Sequence, residues 1–371
     1  MHRHPTTLRS ARLAGALILV CVSYAKTAPP HGHVKTTEEV YKNIQVLKGI
    51  PADQLVPGMQ FITASLGVGC PYCHVENHFD QDDKKPKETA RKMIRMVTAL
   101  NRDEVFGGKP EVTCNTCHHG TQLPLSIPTI NEQPPAPALA EQARQELASV
   151  PPADEILNKY IEALGGPDAI RNLTTLVETA TTMIASREAT VEIFDRSPDK
   201  RSVITYLPSG ESLAVFDGVE SWIAGPNRPL RNMPSADLPG AKMDADLQFA
   251  LHPEEFFGKL KAAASEKVGG QETYQFIGER DGQPTGRLYF SKESGLLLRV
   301  LRYSTSPLGL NPTQIDYSDY RPVQGVKIPY RWTVAHPFGQ FTIQVRDAKA
   351  NVPVDEQKFE KPLETEGQSA K

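Results

Sequence analysis

Residues 59–74, MQFITASLGVGCPYCH, decide how this 371-residue chain is read. The stretch ends on Cys70-Pro71-Tyr72-Cys73-His74, and the motif returns as Cys114-Asn115-Thr116-Cys117-His118. In each copy the two thiols are spaced for thioether bonds to the vinyl groups of a haem, and the adjoining histidine is placed to ligate the iron. Cys-x-x-Cys alone reads as a redox or zinc motif, but neither a structural zinc ion nor a disulfide requires a histidine after both pairs. Two copies predict two covalently attached haems c and a molecule that handles electrons.

Fast electron transfer calls for a second axial ligand on each iron, and the methionines are the candidates. A thioether sulfur opposite histidine favours ferrous iron and raises the reduction potential. Met59 lies eleven residues before Cys70; Met93 lies twenty-one before Cys114, with Met96 as its alternative at eighteen. The plainer role of a methionine on an apolar helix face is to fill core space. His78 falls on the proximal side if a helix continues past His74, and His119 points away from the iron. His31 and His33 sit near the start of the exported chain and reach an iron only if that arm folds back.

Residues 1–25 read as a secretory signal: Arg3, Arg9 and Arg12, then the apolar run Leu13 to Val22, then Ser23-Tyr24-Ala25 before the cut. The run is shorter than the roughly 20 residues that span a bilayer. Cys21 raises the alternative of a lipid anchor, although Val20 is bulky for a lipobox. Without the leader all four remaining cysteines belong to the haem motifs, which leaves none for a disulfide in an oxidising periplasm. Loss of three arginines takes the net charge from −3 to −6, which disfavours nucleic acid as a partner.

The pattern of periods divides the rest. Thr36-x-x-Glu39 is a capping box that opens a helix with the stripe Val40, Ile44 and Leu47. A second helix carries Leu55, Met59, Ile62 and Leu66 and stops at Gly67. A third runs from Lys87 to Asn101, aligning Ala90, Met93, Val97 and Leu100. Residues 123–152 form a proline-rich linker with a short helical stretch at Ala138–Ala148. A helix at Ala153–Leu164 closes on Gly165-Gly166, and beyond it the period becomes that of strands. Thr190–Phe194, Ser202–Leu207, Leu213–Ile223, Tyr274–Glu279, Gly286–Ser291, Leu296–Ser304 and Gln340–Asp347 read as strands, with a helical insertion near Ala245–Ala262. The predicted fold class is multidomain. A mainly α dihaem cytochrome c domain (35–122) precedes a mainly antiparallel β domain (153–360), curved like a half-open barrel with one or two helices against its concave face, and a tail (361–371).

Asp80-Gln81-Asp82-Asp83 lacks the glycine and closing glutamate of a calcium loop and reads as a solvated loop. Lys84, Lys85, Lys87, Arg91, Lys92 and Arg95 form either a docking face for an acidic partner or a solvated helix face. The β domain has no cysteine, no Gly-x-Ser-x-Gly, no His-Glu-x-x-His and no phosphate-cradling loop, and its two histidines, His252 and His336, each precede proline. That composition predicts a carrier and no enzyme.

The segments KNIQVLKGIPADQLVPGMQFITASLGVGCPYCH and TARKMIRMVTALN…VTCNTCHHG, within 35–125, resemble the cytochrome subunit of photosynthetic reaction centres. In that family the methionine of the helix before each motif ligates the haem, a role the resemblance assigns to Met59 and Met93. The photosynthetic subunit carries four haem motifs against two here, and His119 stands where the family commonly has arginine. YIEALGGPDAIRNLTTL, AVFDGVESWIAGP and DYRPVQGVKIPYRWTV resemble, more diffusely, the periplasmic lipoprotein-sorting and carrier superfamily. That resemblance implies a half-open barrel around an apolar cavity and a lipid or quinone-like ligand. Together these readings predict an exported dihaem cytochrome c. It would pass electrons between periplasmic or membrane-associated donors and acceptors, with a β domain for docking or apolar-ligand binding. The alternatives are a lipid- or lipoprotein-binding protein with a haem redox sensor, and a dihaem redox enzyme such as a peroxidase.

Overall fold

Glu39 accepts from the backbone N–H of Thr36 at 2.7 Å, the reciprocal bond of a capping box, and opens helix α1 (Thr37–Val40). The helix ends after one turn, shorter than the Val40-Ile44-Leu47 stripe predicts. Thr37 Oγ1 donates to Leu47 O at 2.6 Å and Gly49 N donates to Glu38 at 2.9 Å, so the chain folds back on the helix it has just left. Asn43, Leu47 and Gly49 take the positive φ angles that this reversal needs. Helix α2 (Leu55–Leu66) follows its predicted stripe and ends where Gly67 turns left-handed at φ +63°. Helix α3 (Lys85–Asn101) and the one-turn helix α4 (Cys114–His118) complete the helical segment.

The computed structural model describes residues 34–106, 111–124, 147–226, 228–337 and 339–362. The leader read at 1–25, Cys21, His31, His33, most of the linker with its Ala138–Ala148 stretch, and most of the 361–371 tail lie outside these residues.

Helices α5 (Ala153–Leu164) and α6 (Pro167–Arg171) lead into β1 (Thr175–Ile184), β2 (Arg187–Arg196), β3 (Lys200–Leu207), β4 (Gly210–Phe216), β5 (Ser221–Gly225) and β6 (Arg228–Asn232). The insertion then brings α7 (Leu238–Ala245), a short turn at Phe249–Leu251 and α8 (Glu254–Phe257). It begins and ends earlier than predicted, because residues 259–263 pair with a neighbour and form an edge strand. The remaining strands are β7 (Lys259–Ala263), β8 (Lys267–Val268), β9 (Gln271–Arg280), β10 (Gln283–Ser291), β11 (Leu297–Ser306), β12 (Gly309–Val323), β13 (Val326–His336) and β14 (Gly339–Ala350). The predicted Leu213–Ile223 strand is two strands, β4 and β5, with Asp217 Oδ1 accepting from Val219 and Glu220 in the turn between them.

All pairings are antiparallel, in the order β6-β5-β4-β3-β2-β1-β14-β13-β12-β11-β10-β9-β7, with β8 on β9. First and last strands meet in the middle of the sheet, Leu176 opposite Ala350, while β6 and β7 form its two edges. The insertion therefore carries the chain from one edge to the other. Six strand steps separate β3 from β11, about 29 Å if the sheet were flat at roughly 4.8 Å per step. Helix α7, eight residues and so about 12 Å long, touches both β3 and β11. Only a sheet curled around the helix permits this, and the half-open barrel is the result. Arg201 on β3 donates to Asp244 O at 3.1 Å, and Arg302 on β11 grips the Asp244 carboxylate at 2.6 and 2.8 Å, so one helical residue ties both arms. The core packs α5 through Ile156, Tyr160 and Leu164 against Phe276, Leu288, Phe290 and Val300.

The described residues from Lys35 onward form one compact unit in which the helical segment meets the sheet. Leu308, at the tip of the β11–β12 hairpin, is buried with Phe61, Ile62 and Ile94 of helices α2 and α3. A Cβ at the next residue, Gly309, would sit 2.5 Å from the Phe61 ring, so only glycine permits this approach. Asn311 Nδ2 donates to Pro57 O at 3.1 Å, and Asp53 accepts from Ser235 N and Oγ at 3.0 and 2.9 Å. Leu308→Ala is expected to cost about 2–5 kcal/mol in urea denaturation, as for a leucine deleted from a core. Exposed Leu310→Ala, two residues on, should stay within about 0.5 kcal/mol.

Candidate functional site

The first motif opens as a tight turn, with Cys73 N and His74 N both donating to Cys70 O, at 3.2 and 3.0 Å. His74 Nδ1 lies 3.0 Å from Phe79 O. A carbonyl oxygen only accepts, so Nδ1 carries the proton and the lone pair is left on Nε2. Burial pushes the imidazole below its ordinary pKa. The second motif is a true helical turn capped by Thr113, whose Oγ1 accepts from Thr116 N at 3.3 Å. His118 Nδ1 lies 3.0 Å from Thr121 O, and Thr121 Oγ1 donates back to His118 O at 2.7 Å. Both histidines thus carry the proton on Nδ1, oriented by a backbone carbonyl, and present the Nε2 lone pair, as a metal-ligating imidazole requires.

The Phe79 carbonyl is itself held. Lys87 Nζ donates to Phe79 O at 2.9 Å and to Gln81 O at 2.7 Å. Asp82 pairs with Lys87 at 3.0 Å and with Arg91 at 2.9 Å. Arg91, then Asn43 and Lys87, hold the Asp82 carboxyl well below the usual carboxylate range. The 80–83 stretch is therefore a paired loop at Asp82, and Lys87 and Arg91 are buried, which removes two members from the predicted basic face. Asn101 fixes the approach to the second motif by a two-way bond with Val112, at 2.7 and 2.9 Å. Gly120 N donates to Ser65 O at 2.9 Å, and a Cβ on Gly67 would collide with Gly120 O, so the end of α2 lies directly on the second motif.

The thiols of Cys70, Cys73, Cys114 and Cys117 are free, and burial pushes those of Cys73 and Cys114 up. Among the described residues no three His, Cys, Asp or Glu side chains converge to hold a metal ion. Met59 is half-buried beside Phe61, Ile62 and Leu308, in the cluster that also receives Cys114. Helix α3 differs from its predicted packing. It buries Lys87, Arg91 and Ile94, while Met93 and Met96 stay 41% and 47% exposed with Leu100 on the outer face. The aliphatic stems of Lys87 and Arg91 pack where the stripe predicts apolar side chains, and Asp82 neutralises their heads. His78 and His119 are both exposed, His119 as the left-handed residue that ends α4 at φ +48°. Thiol pairs, Nε2 lone pairs and thioether sulfurs are the donor types that a c-type haem uses.

Residues 19–164 match the photosynthetic reaction centre cytochrome C subunit family. The photosynthetic reaction center cytochrome c subunit of Thermochromatium tepidum is 38% identical over 89 residues, 23% of this chain and 22% of that one. Cytochrome c-554 of Chloroflexus aurantiacus is 36% identical over 103 residues, 24% of this chain and 25% of that one. The chain thus spans about a quarter of the length of these relatives. The c-type cytochrome relationship belongs to the helical segment, and the cofactor it implies is covalent haem c. The sheet is similar to two solved structures. One is an outer membrane lipoprotein-sorting protein domain from Vibrio parahaemolyticus, with 13% identity, a TM-score of 0.38 and coverage of 55% of this chain and 94% of that one. The other is a LolA superfamily protein from Nitrosomonas europaea, with 15% identity, a TM-score of 0.37 and coverage of 57% and 99%. No helix among the described residues is long and apolar enough to cross a membrane.

Sequence reading names no site residue in the sheet, yet the curled sheet encloses one. A half-open cavity of ≈ 440 Å³ lies between the concave face and helices α5 and α7. Its walls are mostly apolar, with Tyr160, Tyr317, Trp332 and Phe249 among them, but Glu178, Asp195, Arg201 and Asp244 also line it. Asp195 pairs with Arg201 at 2.7 Å. Glu178 is 4% exposed and makes no hydrogen bond among the described residues. Burial, then Asp195, pushes its carboxyl up to about 8, against the pull of Arg201. In chain order these residues sit six to 43 positions apart on separate elements, so no sequence motif marks them; the period-two burial of β1 and β2 is the only local signal. Because the folded state holds the Glu178 proton far more tightly than the unfolded chain, its contribution to stability is full below pH 4.5. It is lost as pH rises towards 8. Thermal melts of Glu178→Gln should therefore match wild type near pH 4.5 and exceed it by a gap that widens up to about pH 8.

Proposed function

We propose that this chain is an exported dihaem cytochrome c that carries electrons between a donor and an acceptor in the periplasm or at a membrane. Its sheet serves for docking or for binding an apolar ligand. Cys70 and Cys73 would hold the first haem and Cys114 and Cys117 the second, with His74 and His118 as proximal ligands. Met59 would supply the sixth ligand of the first iron and Met93, or its neighbour Met96, that of the second. The observation that carries this reading is the paired orientation of the histidines, each with Nδ1 on a carbonyl oxygen at 3.0 Å and Nε2 free to ligate. Bound haem supplies one-electron chemistry, and the chain's part is to fix its ligands and shield it. Methionine opposite histidine closes both irons, whereas peroxide turnover needs an open position, so the donor set favours carriage.

Alkaline pyridine spectra should give two haems per chain. Met59→Ala and Met93→Ala should each remove about half of the methionine–iron absorption and lower one of two midpoint potentials. One haem per chain, or unchanged absorption in both variants, would reject the assignment. Peroxide-dependent turnover by the wild type would favour an enzyme.

A further inference from the structure

Beyond the two haem motifs, the largest concentration of unused chemistry is the polar floor of the cavity. Arg201 is its centre. Its Nη1 is engaged by Asp195 Oδ1 at 2.7 Å and Asp244 O at 3.1 Å, and Asp244 is in turn gripped by Arg302. The two arginines and two aspartates balance in charge. Glu178 stands beside this set, lining the cavity and without a hydrogen-bond partner among the described residues. The hydroxyls of Tyr160 and Tyr317, which also line the cavity, make no hydrogen bond among the described residues, whereas the neighbouring Tyr320 donates to Leu297 O at 2.7 Å. Glu178 and the two phenols line the cavity with no partner among the described residues, which leaves them available to a guest.

We propose that the cavity binds a long-chain molecule with a neutral carbonyl head, the head hydrogen-bonding to the Glu178 carboxyl and the chain lying along the apolar wall. The proposal rests on the reading of the sheet as an apolar-ligand module and adds the chemistry of the head. An anionic head is disfavoured, because it would share Arg201 with the Asp195 carboxylate that lies 2.7 Å from Nη1 and would add a second negative charge beside it. A carbonyl instead needs a donor, and a carboxyl kept protonated by burial supplies one at neutral pH. The volume of ≈ 440 Å³ falls within the range of small-molecule sites, about 300–1,000 Å³. Long-chain esters and alkyl quinones both present this chemistry. The groups that face Glu178 are Asp195 on β2, Arg201 on β3, Tyr330 on β13 and, through Arg201, Asp244 on α7. Lys327, Asp246 and the His252 paired with that aspartate at 2.7 Å lie around the cavity.

The test uses the full chain with its haems and the apolar dye N-phenyl-1-naphthylamine, displaced by monoolein (ester head), decylubiquinone (quinone head) or dodecanoate (anionic head). The dye should bind at all pH values, and one or both neutral carbonyl probes should displace it better than dodecanoate. Which of the two neutral probes binds tighter identifies the source. Between pH 6.5 and pH 9 the affinity for the better neutral probe should fall roughly tenfold, following the protonated fraction of a group near 8. Glu178→Gln, which keeps the shape and an N–H donor, should bind that probe with no pH dependence. Glu178→Leu should bind the dye normally and the carbonyl probe at least several-fold more weakly. Equal affinity across the pH range, a pH dependence that survives in Glu178→Gln, or a preference for dodecanoate would overturn the role of Glu178 and leave an apolar site standing. Absence of dye binding in the folded wild type would overturn the reading of the sheet as a ligand module as well.

Discussion

The bond between Asp244 and the two arginines Arg201 and Arg302 closes this architecture. An antiparallel meander of this length has no inherent reason to curl as far as it does. Each strand pair contributes twist, but twist alone leaves an open, propeller-like sheet. The chain must also return from the β6 edge to the β7 edge, and the route it takes lies across the concave face. Asp244 is placed on that crossing, where its backbone oxygen meets one arm and its carboxylate the other. A bidentate arginine–carboxylate pair fixes direction as well as distance, which a purely apolar contact at this point would not do. Removing one member of such a set leaves a partly buried charge without compensation, and that penalty exceeds the net worth of the intact pair. The clamp is therefore best understood as setting the curvature, with the apolar core of α5 and the sheet supplying the bulk of the stabilisation.

The β11–β12 hairpin transmits this constraint to the helical segment. Arg302 in β11 belongs to the clamp, Leu308 at the tip fills the core beneath α2, and Asn311 in β12 bonds to the first turn of α2. Farther along β12, Ile315 and Tyr317 line the cavity. One rigid ribbon thus touches the cavity, the clamp and the helix that carries Met59. A stiff two-strand element joins them, since its backbone bonds are paired from Ser306–Gly309 inward to Arg299–Asp316. Close packing on Gly309 leaves little room for the hairpin to slide on α2. The helical segment is built onto the sheet through a core of its own, and the joint is part of that core.

Much of this was legible in the sequence, and the exceptions have physical causes. Helix α2 reads correctly because its apolar period and its terminal glycine agree. Helix α3 reads correctly as a helix but with the wrong face inward. Its buried side includes Lys87 and Arg91, whose charges are satisfied by Asp82 and by carbonyl oxygens at positions no periodicity can weigh. Strands β12 and β13 were missed because Pro312, Pro322 and Pro329 interrupt them, and proline normally argues against a strand inside a sheet. Strand β1 was missed because Glu178 stands in its buried face, the same residue that gives the cavity its chemistry. A local rule is broken there, at the place where the fold holds an unpaired carboxyl.

The two haem motifs differ from the cavity in how far their chemistry reaches along the chain. The carbonyl that orients His74 comes from Phe79, five residues on, and that for His118 from Thr121, three residues on. Each motif therefore carries its own orienting group, built by a turn that the following few residues make by themselves. Because the orienting group lies within five residues of its histidine, a short pattern suffices to recognise the unit. The methionines have no such local guarantee. Met59 depends on α2 being held by the Leu308 plug, and Met93 and Met96 depend on α3 rolling onto its Lys87–Arg91 face so that the sulfur atoms remain outward. The Asp82 ion pairs thus do two things at once: they fix the roll of α3, and they anchor the lysine that holds the Phe79 carbonyl over His74. A single loop carboxylate couples the carbonyl that orients His74 to the roll of the helix that carries Met93 and Met96.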